Sequence, residues 1–182
     1  MQYNADMKNI LIVIIIALFI TLPCNAKVDV KFTPSDECET SIINYINKAK
    51  NNIDIAVYSI NNDKIVSALK KAHKRGVNLR ILTDKLQAAA KSSKVIELYK
   101  YGINIRVNSK HKIEHNKFAI YDKKIASSGS YNWTNPASNK NSENCLFIIR
   151  NNQAVNAYLK RFEYLWRINT KQKSDQWFKR KI

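Results

Sequence analysis

The sequence predicts an α/β domain, with a mixed, mostly parallel β-sheet flanked by helices on both faces. Short runs rich in Val, Ile and Tyr alternate with longer segments whose apolar residues recur at helical spacing. No repeat or low-complexity linker interrupts this alternation after residue 26. We therefore expect residues 27–182 to form one domain, because this length is sufficient for one substantial core.

The first predicted strand, 28–32, is short. The helix that follows runs to about residue 50, with an aspartate as its cap and isoleucines on its apolar side. An apolar run predicts a strand over 53–60. A helix over 63–75 has apolar residues at helical spacing and ends at Gly76, which can adopt the left-handed conformation of a helix end.

The middle of the chain continues the alternation. A strand over 77–83 is followed by a helix that ends near Gly102, and by a strand over 103–107. Two further strands, 117–121 and 125–128, are separated by a short polar turn. This order of elements favours a sheet that is covered by helices.

The last predicted elements are a strand over 145–149 and a long amphipathic helix over 153–167. A basic tail follows over about 168–182, with Trp177 and Phe178 among lysines and arginines. Two interpretations of this tail are open, a disordered end and a contact for a membrane or nucleic acid.

The first 26 residues have the layout of a secretory signal peptide. Lys8 precedes an apolar run over 10–22, and small residues precede Lys27. The run is too short to span a bilayer comfortably, which takes about 20 residues. A buried helix or an uncleaved anchor is the alternative. We predict removal of residues 1–26 and export of domain 27–182, to the periplasm or outside the cell.

The predicted mature domain is strongly basic. The whole chain has a formal net charge of +17, and the signal segment removes one Lys and one Asp, so the charge is unchanged. Such a charge favours a polyanionic partner, either nucleic acid or an anionic membrane surface. A solvated lysine-rich surface is the alternative.

Cysteine and histidine are scarce. Cys38 and Cys145 remain after export, and a disulfide and two separate thiols are equally compatible with the sequence. The 3 Cys and 3 His of the chain match no zinc-binding spacing. We therefore predict no zinc site.

The segment HNKFAIYDKKIASSGSYNWT, residues 115–134, concentrates chemically active side chains. His115 and Lys117 point the same way because residues alternate faces along a strand. Asp122 follows at the far end of that strand, and Ser130 and Asn132 follow the next strand. A nucleophile, a cation, a hydroxyl and an amide together suit a phosphate group.

This segment resembles the signature of the phospholipase D superfamily, H-x-K, four residues, D, six residues, G-S-x-N. Every fixed position matches at the same spacing, and Asn-Ser-Glu-Asn at 141–144 is similar to a downstream segment of small secreted single-motif members. The resemblance extends over the order of elements through most of the mature chain. It implies a fold of the phospholipase D type, and for Asp122 a structural or electrostatic role.

The resemblance also implies catalytic roles. His115 would be the nucleophile and form a covalent phosphohistidine. Lys117 and Asn132 would bind the non-bridging phosphate oxygens, with Ser130 assisting. Glu143 would accept a hydrogen bond from the other ring nitrogen of His115. No metal or other cofactor is needed for this chemistry.

Family chemistry uses two histidine motifs, and this chain has one. His73 and His111 match no second motif. The resemblance therefore implies a homodimer that brings two copies of His115 together in one shared active site. The expected function is a secreted phosphodiesterase, with phosphatidylcholine and nucleic acid about equally favoured as substrates. A basic protein that binds nucleic acid or membrane without turnover is a remote alternative.

Overall fold

The computed structural model describes residues 26–182, so the predicted signal peptide lies outside the described residues except for Ala26. Seven strands and seven helices occur within that range. The strands are β1 (Lys27–Phe32), β2 (Asn52–Val57), β3 (Asn78–Thr83), β4 (Asn104–Val107), β5 (Lys117–Tyr121), β6 (Ile125–Gly129) and β7 (Asn144–Ile149). The helices are α1 (Glu37–Lys48), α2 (Asp63–Lys74), α3 (Lys85–Ala88), α4 (Val95–Lys100), α5 (Asn135–Asn139), α6 (Asn152–Ile168) and α7 (Lys171–Lys179).

The strands form a single sheet in the order β1-β7-β6-β5-β2-β3-β4. Pairs β2–β3 and β3–β4 are parallel, whereas the other four neighbouring pairs are antiparallel. The predicted mixed sheet is confirmed, but the prediction that it is mostly parallel is wrong. The three-residue turn between β5 and β6 forces an antiparallel pair, since a parallel crossover needs a dozen or more residues.

Both faces of the sheet are covered, as predicted. One face packs against α1, α2, α4 and α7 in a large apolar core. The other face packs against α6, whose buried residues Val155, Phe162, Leu165 and Trp166 meet Phe118 and Ile120 of the central strand β5. Alternation along the strands directs successive side chains into these two cores.

Side-chain caps explain where several helices begin. Asn62 accepts a hydrogen bond from the backbone N–H of Ile65 at the start of α2, and Asn151 accepts from Ala154 at the start of α6. These caps satisfy donors that would otherwise have no partner at a helix N-terminus. Gly76 follows the end of α2 with a φ of +86°, which is the left-handed conformation that the sequence predicts for this helix end.

A disulfide joins Cys38 of α1 to Cys145 of β7, with a Cα–Cα distance of 5.9 Å. The sequence left this pairing open. The bond links elements that are 107 residues apart, and it fixes a helix to the strand that begins beside Glu143.

The basic tail is ordered as helix α7, which Thr170 caps by accepting from the backbone N–H of Lys173. Trp177 and Phe178 are buried in the larger core, and the Phe178 ring stacks on Tyr99 with centroids 3.8 Å apart. A disordered end is therefore wrong, and these two aromatic side chains are not a surface contact. The basic side chains of the tail remain at the surface.

Candidate active site

An open cleft lies at the start of β5, between the sheet and α6. Its volume is about 360 Å³. The side chains and backbone that line it come from three elements and from the loop before β5: His115, Asn116, Lys117, Phe118, Ser128, Gly129, Ala157, Tyr158 and Arg161. The two fixed residues of the H-x-K motif, His115 and Lys117, therefore meet at one accessible cavity, with Arg161 as a further cation.

His115 lies at the mouth of this cleft and is exposed to solvent. Its ring is 4.7 Å from the ring of Tyr58, centroid to centroid. The preceding residue, Glu114, is buried, and its carboxylate accepts hydrogen bonds from the backbone and side-chain N–H groups of Asn116. The backbone around His115 is thus fixed while its imidazole faces the cleft.

Lys117 is half-buried beside His115. Its ammonium donates a hydrogen bond to the backbone carbonyl of His115 at 2.7 Å and lies 5.0 Å from the centre of the Tyr58 ring. Burial lowers the pKa of the Lys117 ammonium below its ordinary value, although the carboxylates of Glu143 and Glu114 oppose this shift. A cation that is partly removed from water interacts strongly with a phosphate oxygen.

Ser130 and Glu143 form a hydrogen-bonded pair next to this site. The Ser130 hydroxyl donates to the Glu143 carboxylate at 2.5 Å and accepts from the backbone N–H of Asn144 at 3.0 Å. Thr33 exchanges hydrogen bonds with the backbone of Glu143 and so fixes its position. Within residues 26–182 no hydrogen bond joins Glu143 to His115, so Glu143 contacts Ser130 where the resemblance implied the imidazole.

Asn132 lies on the loop between β6 and α5. This loop is fixed by Trp133, whose backbone N–H donates to Ser59 and whose carbonyl accepts from Asn61 and Asn62. The side-chain oxygen of Asn132 is buried and has no hydrogen-bond partner among the described residues. An unpaired buried amide oxygen is costly, and a bound hydrogen-bond donor would remove that cost.

Gly129 allows β6 and β7 to approach each other closely at the cleft. Its φ is +138°, and a Cβ at this position would collide with the backbone oxygen of Asn144 and lie 2.9 Å from the Cα of Cys145. Only glycine fits both constraints. The fixed glycine of the motif thus sets the distance between Ser130 and the strand that follows Glu143.

Asp122 lies at the opposite end of β5 from His115. Its carboxylate accepts hydrogen bonds from three consecutive backbone N–H groups, those of Lys50, Asn51 and Asn52, at 2.7–3.0 Å. Burial raises the pKa of this carboxyl, but the three backbone donors outweigh it and the pKa is lowered overall. Five residues of strand place it about 16 Å from Lys117, so it does not line the cleft.

The structure therefore brings His115 and Lys117 to the cleft, with Ser130 and Glu143 paired close by, and places Asp122 apart. Sequence reasoning missed the ring of Tyr58, which touches both cleft residues. The predicted strand over 53–60 placed Tyr58 inside a strand, whereas the observed strand β2 ends at Val57 and leaves Tyr58 at the strand end, where functional groups gather.

The other two histidines lie away from the cleft, whereas a tyrosine of α6 lines it. His111 and His73 do not line the cleft. Tyr158 of α6 lines the cleft and also packs its ring on Phe118 of the core, with centroids 5.1 Å apart. Within residues 26–182 no group of three or more His, Cys, Asp or Glu side chains could hold a metal ion.

Known proteins resemble the chain in sequence. The family model described as "Cardiolipin synthase, PLD-like domain" matches residues 42–166. A phospholipase D of Rickettsia conorii is 37% identical over 134 residues, which cover 74% of this chain and 66% of that protein. A mitochondrial cardiolipin hydrolase of Mus musculus is 34% identical over 118 residues, or 65% of this chain and 53% of that protein. The chain thus spans two thirds or less of the length of these relatives.

Solved structures share the fold. Nuc of Salmonella typhimurium, a phospholipase D family member, superimposes with a TM-score of 0.74 and 29% identity, over 79% of this chain and 95% of that chain. NucT of Helicobacter pylori gives a TM-score of 0.72 and 25% identity, over 78% and 96% of the two chains. With the H-x-K cleft described above, these matches identify the chain as a member of the phospholipase D superfamily, with the fold and the phosphodiesterase motif of that superfamily.

Proposed function

We propose that the chain is a metal-independent phosphodiesterase, which hydrolyses a phosphodiester through a covalent phosphohistidine on His115. The observation that supports this most strongly is the meeting of His115 and Lys117 at one open cleft of about 360 Å³. A nucleophile beside a partly desolvated ammonium is suited to attack on phosphorus. The relatives named phospholipase D and cardiolipin hydrolase support the same reaction class.

The reaction has two displacements. The imidazole of His115 attacks phosphorus, a P–N bond forms, and the P–O bond to the leaving alcohol breaks as an acid gives that oxygen a proton. Water then attacks phosphorus, the same group takes a proton from it, and the P–N bond breaks. Lys117 and Asn132 bind the non-bridging oxygens, and the Ser130–Glu143 pair orders the edge of the site.

The acid comes from a second copy of the chain. His73 contacts Tyr101, with ring centroids 5.9 Å apart, and His111, which is exposed four residues before His115 in the same loop, does not line the cleft. A homodimer with a two-fold axis at the cleft supplies a second His115 without any further motif. The site is then shared between two subunits.

The substrate is a phosphodiester of a nucleic acid or of a phospholipid, and different observations favour each. The net charge of +17 favours nucleic acid. The names of the relatives favour phospholipid, and so does an exposed apolar row on β1, Val28, Val30 and Phe32. This row is on the α6 face of the sheet, because Val28 and Val30 lie opposite Ile148 and Leu146.

We also propose that the protein acts outside the cytoplasm, after removal of residues 1–26. The Cys38–Cys145 disulfide supports this, since such bonds persist in oxidising compartments. In the part of the chain that the structure describes, no helix has the length and apolarity to cross a membrane.

The test uses purified residues 27–182 in EDTA, with plasmid DNA, phosphatidylcholine vesicles and bis(p-nitrophenyl) phosphate as separate substrates. We expect the wild type to cleave at least one of these substrates. In His115→Ala the rate of that cleavage should fall by a factor of about 1,000 or more, since covalent catalysis is lost. His111→Ala is the matched control and should retain activity. DNA nicking without choline release assigns a nuclease, and the reverse assigns a phospholipase. Equal activity in wild type and His115→Ala would contradict the proposal, and no activity in either protein would favour a non-catalytic binder.

A further inference from the structure

Tyr58 directly follows β2 and lies against both residues of the H-x-K motif. Its ring centroid is 4.7 Å from that of His115, with the ring planes inclined by 58°, and 5.0 Å from the ammonium nitrogen of Lys117. One aromatic ring therefore contacts the nucleophile and the neighbouring cation at once. Nothing in the signature itself accounts for this residue.

The backbone of Tyr58 is fixed to the motif strand. Val57 pairs with Lys117 in the antiparallel β2–β5 ladder, and the Tyr58 N–H donates to the carbonyl of Asn116 at 2.9 Å. Thr83 donates its hydroxyl to the Tyr58 carbonyl at 3.2 Å. Pairing thus continues one residue past the end of β2, and the sheet register sets the ring beside the motif.

The hydroxyl of Tyr58 is fixed as well. The side-chain amide of Gln87 donates to it at 2.9 Å. Gln87 belongs to α3, where one oxygen of the buried Asp84 carboxylate accepts from the backbone N–H groups of Leu86 and Gln87. The other oxygen of Asp84 accepts from the backbone N–H of Glu114, the residue before His115. One buried carboxylate therefore connects α3 to the chain entering the motif.

We infer that Tyr58 is a positioning residue, whose ring holds the His115 imidazole and the Lys117 ammonium in the orientation that receives one phosphoryl group, while Gln87 holds the ring. The inference rests on the proposed function. The face of an aromatic ring attracts a cation and restricts the flexible lysine side chain. The imidazole makes no hydrogen bond within residues 26–182, and its ring contact there is with Tyr58.

The first experiment separates the ring from its hydroxyl. Tyr58→Leu should lower kcat for bis(p-nitrophenyl) phosphate about tenfold and leave KM within about twofold, because orientation of the reacting groups is lost while access to the cleft is kept. Tyr58→Phe retains the ring and should stay within about threefold of wild type. Equal losses in both variants would overturn a role for the ring.

The second experiment does not depend on turnover. The ring C–H signals of His115 in an NMR spectrum are displaced by the nearby Tyr58 ring, and we expect Tyr58→Leu to remove that displacement and Tyr58→Phe to retain it. Tyr101→Leu is the matched control, because Tyr101 contacts His73 in the same way. It should move the His73 signals only and leave kcat unchanged.

The two readouts separate failure of this inference from failure of the proposed function. Activity that survives in His115→Ala would contradict the proposed function, whereas the NMR signals would still report the ring contact. Unchanged His115 signals and unchanged kcat in Tyr58→Leu would overturn the inference alone.

A double variant tests the part played by Gln87. Gln87→Leu should lower kcat about two- to threefold in the wild type and cause no further loss when Tyr58 is replaced by Phe, because both changes remove the same hydrogen bond. Losses that multiply would show that Gln87 does not act through Tyr58.

Discussion

Gly129 shows how a residue without a side chain lets two strands, β6 and β7, approach closely beside the candidate active site. We expect Gly129→Ala to lower the free energy of unfolding by about 2–4 kcal/mol, because its Cβ collides with backbone of β7 and its φ of +138° is unfavourable for alanine. Urea denaturation measures the change. Ser130 follows directly, so we also expect kcat to fall.

Gly76→Ala is the matched control for that experiment. Gly76 also has a positive φ, +86°, but a Cβ there would meet nothing within 4 Å. It should cost only about 1 kcal/mol, the conformational part of the effect, and leave kcat unchanged. Equal losses of stability in the two variants would rule out the close approach of β6 and β7 as the cause.

At the same scale, the sequence predicted some contacts and not others. The alternation of a strand was sufficient to place His115 and Lys117 on one side of the chain. The partner of Glu143 was not predictable in this way, because Ser130 and Glu143 meet only after β6 and β7 have paired. Local spacing determines which way a side chain points, whereas sheet register determines what it meets.

At the scale of elements, Asp122 connects the β5–β6 turn to the start of β2 through backbone hydrogen bonds. Replacement by Ala removes an acceptor from three backbone N–H groups at the start of β2, and we expect a loss of about 1–3 kcal/mol in the free energy of unfolding. The kcat at 25 °C should stay within about threefold, since Asp122 does not line the cleft. A loss of activity as large as that of His115→Ala, with stability retained, would assign Asp122 to catalysis.

The same element should make stability depend on pH. The pKa of Asp122 is lowered in the folded protein, so its contribution is present above the ordinary aspartate pKa and is lost as the pH falls through the lowered value. The difference in unfolding free energy between wild type and Asp122→Ala should therefore shrink in acid. Thermal unfolding from neutral pH into the acidic range measures it.

Elements were easier to predict than their directions. Helix α2 was apparent from its apolar spacing and its glycine end, and β5 and β6 from the turn between them. Their other neighbours in the sheet, β2 and β7, were not apparent, because a strand has the same local pattern whichever way its partner runs. Helix α7 was missed because its charged residues hid the adjacent aromatic pair, Trp177 and Phe178, which is buried.

The disulfide acts on the whole molecule. We expect Cys38→Ser with Cys145→Ser to lower the free energy of unfolding by about 2–5 kcal/mol, because the bond closes a loop of more than 100 residues in the unfolded chain. Wild-type protein reduced with dithiothreitol should match the double variant in urea denaturation. No difference between the oxidised and reduced proteins would remove the support that the bond gives to an exported enzyme.

The position of that disulfide has a consequence for how the protein is made. Cys145 lies about four-fifths of the way along the sequence of 182 residues, and among the strands of residues 26–182 the early strand β1 pairs with β7 alone. A chain that emerges from its N-terminus cannot close the bond or complete the sheet edge until β7 has appeared. The same strand follows Glu143 directly, so cross-linking, sheet completion and assembly of the Ser130–Glu143 pair all await one late event. We therefore expect the nascent chain to lack this pair until β7 has been synthesised, and folding factors have that whole interval in which to bind it.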